Sequence, residues 1–337
     1  MATFTSSLKS KLIYVFAIND EWHRDCLKIG ETTLDEDDGG DLSPNSDLLN
    51  QAAHKRILQY TQTAGIAYQL LYTEDTIFRR SGMILSFDDN QVHKVLERSG
   101  IPKKEFAGVK GADEWYCCDL ETVKKAIKAV KKGESSLHAS DITQGQTPII
   151  FRPEQREAID KTRTRLKKGN HMLWNAKMRF GKTLSALQVV KEEEFVRTLI
   201  LTHRPVVDKG WFEDFGKIFY DRKDYRYGSR INGENFDSLE RMVAKGQKYV
   251  FFASMQDLRG SEAVGGKFDK NDRVFSTPWD FIIVDEAHEG TKTELGQNVL
   301  KELTKEKTKV LQLSGTPFNL FDDYAEADIY TWDYVME

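Results

Sequence analysis

The C-terminal part of the chain carries five short runs, "HMLWN", "TLILTH", "YVFFAS", "FIIVDE" and "KVLQLS", separated by segments with helical spacing. The runs are apolar and rich in β-branched and aromatic residues, without the polar alternation of a strand that has one wet face. Such strands are buried on both faces, which implies a mainly parallel sheet with crossover helices. At 337 residues the chain is long enough for a second domain. From Lys11 to about Lys132 it reads as a small α+β unit. "LIYVFAI", "CLKIGETT" and "YQLLYT" are strand candidates, and "LLNQAAHKRILQY", "NQVHKVLERSG" and "LETVKKAIKAVKK" are helix candidates. In the last of these Val123, Ile127 and Val130 share one face. Residues 133–148 are polar and turn-rich and read as a linker. The expected organisation is therefore a domain at 1–132, a linker at 133–148 and an α/β domain at 149–337.

A net charge of −4 makes no whole-chain case for nucleic-acid binding, although a basic groove can coexist with an acidic remainder. The three cysteines, Cys26 and the adjacent Cys117 and Cys118, lack zinc-ligand spacing and read as reduced thiols. The acidic loop at 34–45 lacks the alternation and closing glutamate of a calcium loop, so it reads as a solvated insertion. No apolar run has transmembrane length and the N-terminus has no signal-peptide core, which gives a cytoplasmic, membrane-free reading.

Residues 176–183 fit A-x-x-x-x-G-K-T, a phosphate-binding loop with alanine for the first glycine, between the strand "HMLWN" and the helical "KTLSALQVV". Backbone N–H groups at the helix start would cradle phosphates, aided by the helix dipole. Gly181 and Lys182 belong to the cradle, with Lys182 reaching the β- and γ-phosphates of ATP and the Thr183 hydroxyl ligating magnesium. "FIIVDE" places Asp285 and Glu286 at the C-terminal end of a strand, where open α/β sheets bind ligands. Asp285 can hold magnesium, and Glu286 can orient or deprotonate the attacking water.

These motifs resemble those of superfamily 2 DEAD/DEAH helicases and translocases. "VDEAH" looks like motif II, "LSGTP" like motif III, and "FRPEQREAI" like the segment whose glutamine, here Gln155, reads adenine. "LTHRPVV" resembles motif Ia and "FFASMQDL" the next nucleic-acid-contacting segment. The "KMRFGKT" flavour, including Arg179 beside the nucleotide, is closest to the type III restriction-enzyme-like branch. The resemblance implies one RecA-like lobe, with Thr202, His203, Arg204, Ser254 and Gln256 donating to phosphates of one strand. It implies too that His288, Ser314 and Thr316 couple hydrolysis to strand movement. Ser314 and Thr316 can equally hold a turn before Pro317. The family's motor needs a second RecA-like lobe that supplies an arginine finger, in cis or in trans. Only twenty residues follow Pro317. The chain alone is accordingly expected to be a weak ATPase.

The front unit resembles a divergent branch of the GIY-YIG nucleases. Tyr14 matches the first motif and Lys28-Ile29-Gly30 the second, with lysine where the family has tyrosine. Arg56 and Tyr60 sit four apart on one helical face. Glu114 matches the metal-holding glutamate, and His93 is placed near the same site. The resemblance implies a divalent metal on Glu114, Arg56 clamping the scissile phosphate, and Tyr14, Tyr60 or Lys28 helping to activate water. Tyr14 in the core, Arg56 on a helix surface and Glu114 capping a turn are the structural alternatives. The combined expectation is an ATP-dependent DNA-processing enzyme of restriction or phage defence, with a methyltransferase or specificity subunit as a possible partner. A front domain that binds without cleaving, or an RNA substrate, are the other readings.

Overall fold

The computed structural model describes residues 10–34, 40–108, 111–142, 149–203, 205–267, 269, 271–287, 294–316 and 320–333. The chain divides into two units, Met1–Leu137 and His138–Glu337.

The first unit is built on a four-stranded antiparallel sheet in the order β3-β1-β2-β6. Its strands are β1 (Lys11–Ala17), β2 (Leu27–Thr33), β3 (Gln69–Asp75) and β6 (Trp115–Tyr116). Helices α1 (Asp47–Thr61), α2 (Asp89–Arg98) and α3 (Leu120–Lys132) complete it. Each helix starts on a side-chain cap: Ser46 for α1, a reciprocal Asp88–Gln91 capping box for α2, and Asp119 for α3. Helix α3 buries Val123, Ala126, Ile127 and Ala129, and Val130 is only half-buried. It stops at Gly133, whose φ of 77° is the left-handed conformation that suits glycine. A hairpin that the hydrophobic pattern does not announce, β4 (Ile77–Arg80) with β5 (Met83–Ser86), turns through Ser81 and Gly82. Both turn residues have positive φ, as a two-residue type I′ turn requires.

The second unit carries a seven-stranded sheet in the order β13-β7-β12-β11-β8-β10-β9. Five strands are the apolar runs: β7 (His171–Ala176), β8 (Arg197–Thr202), β10 (Lys248–Ser254), β11 (Phe281–Val284) and β12 (Lys309–Ser314). The edge strands β9 (Tyr225–Gly228) and β13 (Ile329–Trp332) are additional. Every pairing is parallel, so the sheet is wholly parallel, the α/β architecture of a RecA-like lobe. The helices are α4 (Ala139–Ile142), α5 (Pro153–Leu166), α6 (Lys182–Glu193), α7 (Asp208–Ile218), α8 (Phe236–Val243), α9 (Met255–Leu258), α10 (Asp272–Ser276) and α11 (Glu294–Leu303). Helix α4 falls inside the segment read as a linker. Two buried clusters line the sheet, one gathering Trp174, Phe180, Val189 and Phe215 and the other Leu201, Phe251, Trp279 and Val299. Among the described residues no helix is long and apolar enough to cross a membrane.

The bulky residues of the phosphate loop divide by burial. Met178 is exposed, whereas Phe180 is fully buried, its ring 5.4 Å from that of Trp332 and 6.0 Å from those of Trp174 and Tyr330. Phe180 thus plugs the loop into β7 and the edge strand β13. Phe180→Ala is expected to lower unfolding free energy in a urea titration by about 3–4 kcal/mol. A loss below about 1 kcal/mol would show that the loop is held by its backbone alone.

Candidate functional site: an ATP cradle and a second, tyrosine-lined site

Parallel pairing puts the C-terminal ends of β7, β12 and β11 side by side, because β12 lies between the other two. The phosphate loop leaves β7 and enters α6 at Gly181, the helix N-cap, with φ 86°. The backbone conformation demands glycine, and a Cβ there would stand 2.5 Å from Gln155 Nε2 and push that side chain aside. Arg179, also at positive φ (72°), is exposed on the loop. Gln155 Nε2 donates to the Phe180 carbonyl at 2.7 Å, and its Oε1 accepts from Arg152 N–H at 2.8 Å. Arg152 Nη2 donates to the same carbonyl at 2.9 Å and to that of Arg179 at 3.1 Å. The glutamine expected to read adenine therefore also props the loop, together with an arginine that no motif singled out. Lys182 Nζ folds back to the Ala176 carbonyl at 2.8 Å. Thr183 is half-buried at the first turn of α6.

Asp285 and Glu286 follow β11 directly. Glu286 has a φ of 50°, a left-handed conformation that costs a non-glycine residue about 1 kcal/mol or more. Its N–H donates to Asp285 Oδ1 at 3.0 Å, and Trp211 Nε1 donates to Asp285 Oδ2 at 3.2 Å. Burial pushes the Asp285 carboxyl up, and the charge of Glu286 adds to this; the Trp211 bond and the Lys182 charge oppose it. A cation facing this pair would relieve that strain. The Thr183 hydroxyl and the Asp285 carboxylate are hard oxygen donors suited to magnesium, and two protein ligands suffice when phosphates and water complete the shell. Among the described residues no set of three or more His, Cys, Asp or Glu forms a denser metal site. At the end of β12, Ser314 is buried and its Oγ accepts from the Thr316 N–H at 3.2 Å. A Cβ on Gly315 would stand 3.9 Å from Lys182 Nζ, which brings the motif III turn onto the phosphate loop. His288 lies outside the described residues.

The candidate nucleic-acid contacts stand at the ends of β8 and β10, where Thr202 and Ser254 are register partners. Thr202 is buried, His203 is half-buried and Gln256 is exposed. Ser254 Oγ caps α9, accepting from Asp257 N–H at 3.1 Å and donating to Asp257 Oδ2 at 2.8 Å. Its first role is structural. Arg204 lies outside the described residues.

In the first unit the expected residues largely converge. Tyr14 and Gly30 are cross-strand partners, and a Cβ on Gly30 would stand 2.6 Å from the Tyr14 hydroxyl. Glycine here makes room for the tyrosine ring. The hydroxyls of Tyr14 and Tyr60 lie 3.3 Å apart, Lys28 pairs with Glu114, and Lys28 Nζ stands 5.8 Å from the Tyr60 ring centroid. Burial, then the Tyr14 bond, pushes the Tyr60 phenol well above its usual range, with Arg56 opposing and Glu114 adding to the rise. Tyr60 therefore stays protonated at neutral pH and can orient water but not deprotonate it. Arg56 is exposed, one helical turn before Tyr60, and donates to Gln59 Oε1 at 2.7 Å. His93 approaches this group from α2. It is buried, with Nε2 3.1 Å from the Ile29 carbonyl oxygen and its ring 5.1 Å from that of Tyr116, a strut between α2 and β2.

Sequence reasoning passed over Trp211, Arg152 and Gly315. Trp211 sits in an amphipathic helix with nothing but burial to mark it. Arg152 and Gly315 do lie within recognised segments, where their neighbours drew the attention.

The chain is similar to several known proteins. The chain is 28% identical over 140 residues to the C-terminus of an inferred type II restriction enzyme and methyltransferase of Mycoplasma pneumoniae, a match spanning 40% of this chain and 18% of that protein. Among solved structures, the Sulfolobus solfataricus SWI2/SNF2 ATPase core in complex with double-stranded DNA is 22% identical, with a TM-score of 0.40, covering 55% of this chain and 37% of that one. A nuclease-deletion mutant of the type ISP restriction-modification enzyme LlaGI, in complex with a DNA substrate mimic, is 15% identical with a TM-score of 0.41, covering 56% of this chain and 20% of that one. The chain thus spans well under two thirds of each of these relatives. The sequence profile of the type III restriction enzyme res subunit matches residues 148–319, just over half of the chain, and the chain belongs to that family.

Proposed function

We propose that the chain is the ATP-binding and DNA-processing part of a restriction or phage-defence enzyme, in which hydrolysis in the second unit drives translocation on DNA or its unwinding. One observation carries the reading: the glycine-bent loop with Lys182 and the Asp285–Glu286 pair occupy the strand ends on either side of the Gly315 turn. In this reading the N–H groups at the start of α6 and Lys182 hold the phosphates, while Thr183 and Asp285 hold magnesium. Bound magnesium supplies charge neutralisation at the transferred phosphoryl group. Glu286, turned off its strand, orients the attacking water, and Gln155 and Arg179 border the base and phosphates. Thr202, His203, Arg204 and Gln256 face one nucleic-acid strand, and His288, Ser314 and Thr316 link it to the nucleotide. A second RecA-like lobe, in the same polypeptide or another, completes the motor. Membership in a restriction-enzyme family, and a relative that joins restriction to methylation, support DNA as the substrate and a methyltransferase or specificity subunit as a partner.

For the first unit the reading is a GIY-YIG-like endonuclease site, supported by the convergence of Tyr14, Tyr60, Lys28 and Glu114 around Gly30. Glu114 would hold a divalent cation, whose chemistry is to stabilise charge on the scissile phosphate. Lys28 forms an ion pair with Glu114. Arg56, exposed at the rim, grips phosphate oxygens, and the two hydroxyls orient water.

Glu286→Gln is expected to retain nucleotide binding while phosphate release falls by about a hundredfold or more; unchanged turnover would remove Glu286 from that role. Turnover is expected to rise with duplex DNA and not with RNA, and the opposite preference would make RNA the substrate. Supercoiled plasmid is expected to be nicked only with a divalent metal, and Glu114→Ala and Arg56→Ala should each abolish nicking. Binding of plasmid without nicking under any metal would make the first unit a DNA-positioning module.

A further inference from the structure

Asp285 is held at both oxygens, and the two holds differ in kind. The Glu286 N–H that reaches Oδ1 is local and moves with the carboxylate. The Trp211 indole N–H that reaches Oδ2 comes from α7, more than seventy residues earlier in the chain. Helix α7 begins directly after the turn at Pro205–Val207, where Val206 and Val207 are exposed at the end of the segment read as motif Ia. Its first residue, Asp208, is buried and accepts from the Tyr227 hydroxyl at 2.6 Å, Ser229 Oγ at 2.7 Å and Asn232 Nδ2 at 3.0 Å. Arg230 and Ile231 stand exposed on that same stretch. Trp211, Phe215 and Ile218 pack the helix into the core, so any change at its first turn reaches Trp211 through a stiff element. Helix α7 therefore links two stretches with exposed side chains, the turn before it and the segment bonded to Asp208, to the carboxylate that would hold the metal.

We propose that Trp211 is a positioning residue for Asp285, through which nucleic acid bound at the exposed turn Pro205–Val207 sets the orientation of that carboxylate toward magnesium. The proposal rests on the reading of the ATP site given above. Hydrogen bonds weaken steeply with distance and angle, and the Trp211 bond is already 3.2 Å long. A shift of α7 by a fraction of an ångström tightens or breaks it. The bond occupies one of the several lone-pair positions of the carboxylate and leaves others for the metal.

The test is calorimetric binding of a non-hydrolysable ATP analogue, with magnesium or with a chelator, in the presence or absence of a duplex oligonucleotide. In the parent chain the magnesium-dependent affinity is expected to need Lys182 and to rise with DNA. Trp211→Phe should lose about tenfold in magnesium-dependent affinity, keep its metal-free affinity, and no longer respond to DNA. Trp211→His, which keeps a ring N–H, should recover most of the loss. Phe215→Leu, a core change on the same helix, should lower thermal stability without altering the magnesium dependence. Equal behaviour of Trp211→Phe and parent, equal impairment by the His and Phe variants, or a matching defect in Phe215→Leu would overturn the positioning role. A parent whose magnesium-dependent affinity ignores DNA overturns the coupling. A parent with no Lys182-dependent binding overturns the reading of the ATP site itself.

Discussion

Everything in the second unit depends on parallel strand pairing. A parallel sheet sends the C-terminal end of every strand to one edge, so loops far apart in sequence meet there. The order β7-β12-β11 then decides which loops meet: the phosphate loop, the Gly315 turn and the acidic pair. That edge gathers the glycine at positive φ, the lysine and two adjacent carboxylates, one of which burial has pushed up. The Lys182 charge and the N–H groups of Trp211 and Glu286 oppose that rise.

The first unit uses the opposite pairing to a comparable end. Antiparallel register sets Tyr14 across from Gly30, and the missing side chain leaves room for the ring. Lys28 and Glu114 then close over the tyrosines from β2 and from the residue just before β6. With Tyr60 held protonated, deprotonation of water must fall to another group, which narrows the chemistry that the four residues can perform together.

Much of this was legible in the sequence because chemistry and periodicity agreed. The five apolar runs became the inner strands, and A-x-x-x-x-G-K-T fell between strand and helix where its backbone chemistry needs it. The edge strands β9 and β13 were not legible, since four residues such as "YRYG" or "IYTW" carry no period. Phe180 has no local reason to be bulky; its reason is tertiary, a plug against Trp332 on a strand the pattern does not reveal. Ser254 was read as a phosphate donor, and its hydroxyl turns out to be spent on a helix cap. His93 is buried against the Ile29 carbonyl and Tyr116, a tertiary contact that no local pattern announces.

The central claim is that the Gly181–Lys182 cradle and the Asp285–Glu286 pair form one nucleotide site. Titrating ATP with magnesium into the chain and into Lys182→Ala tests it most directly. The claim predicts saturable, magnesium-dependent binding that weakens at least about tenfold in the variant, a loss of roughly 1.4 kcal/mol. Equal affinity in the two proteins, or affinity indifferent to magnesium, would contradict it.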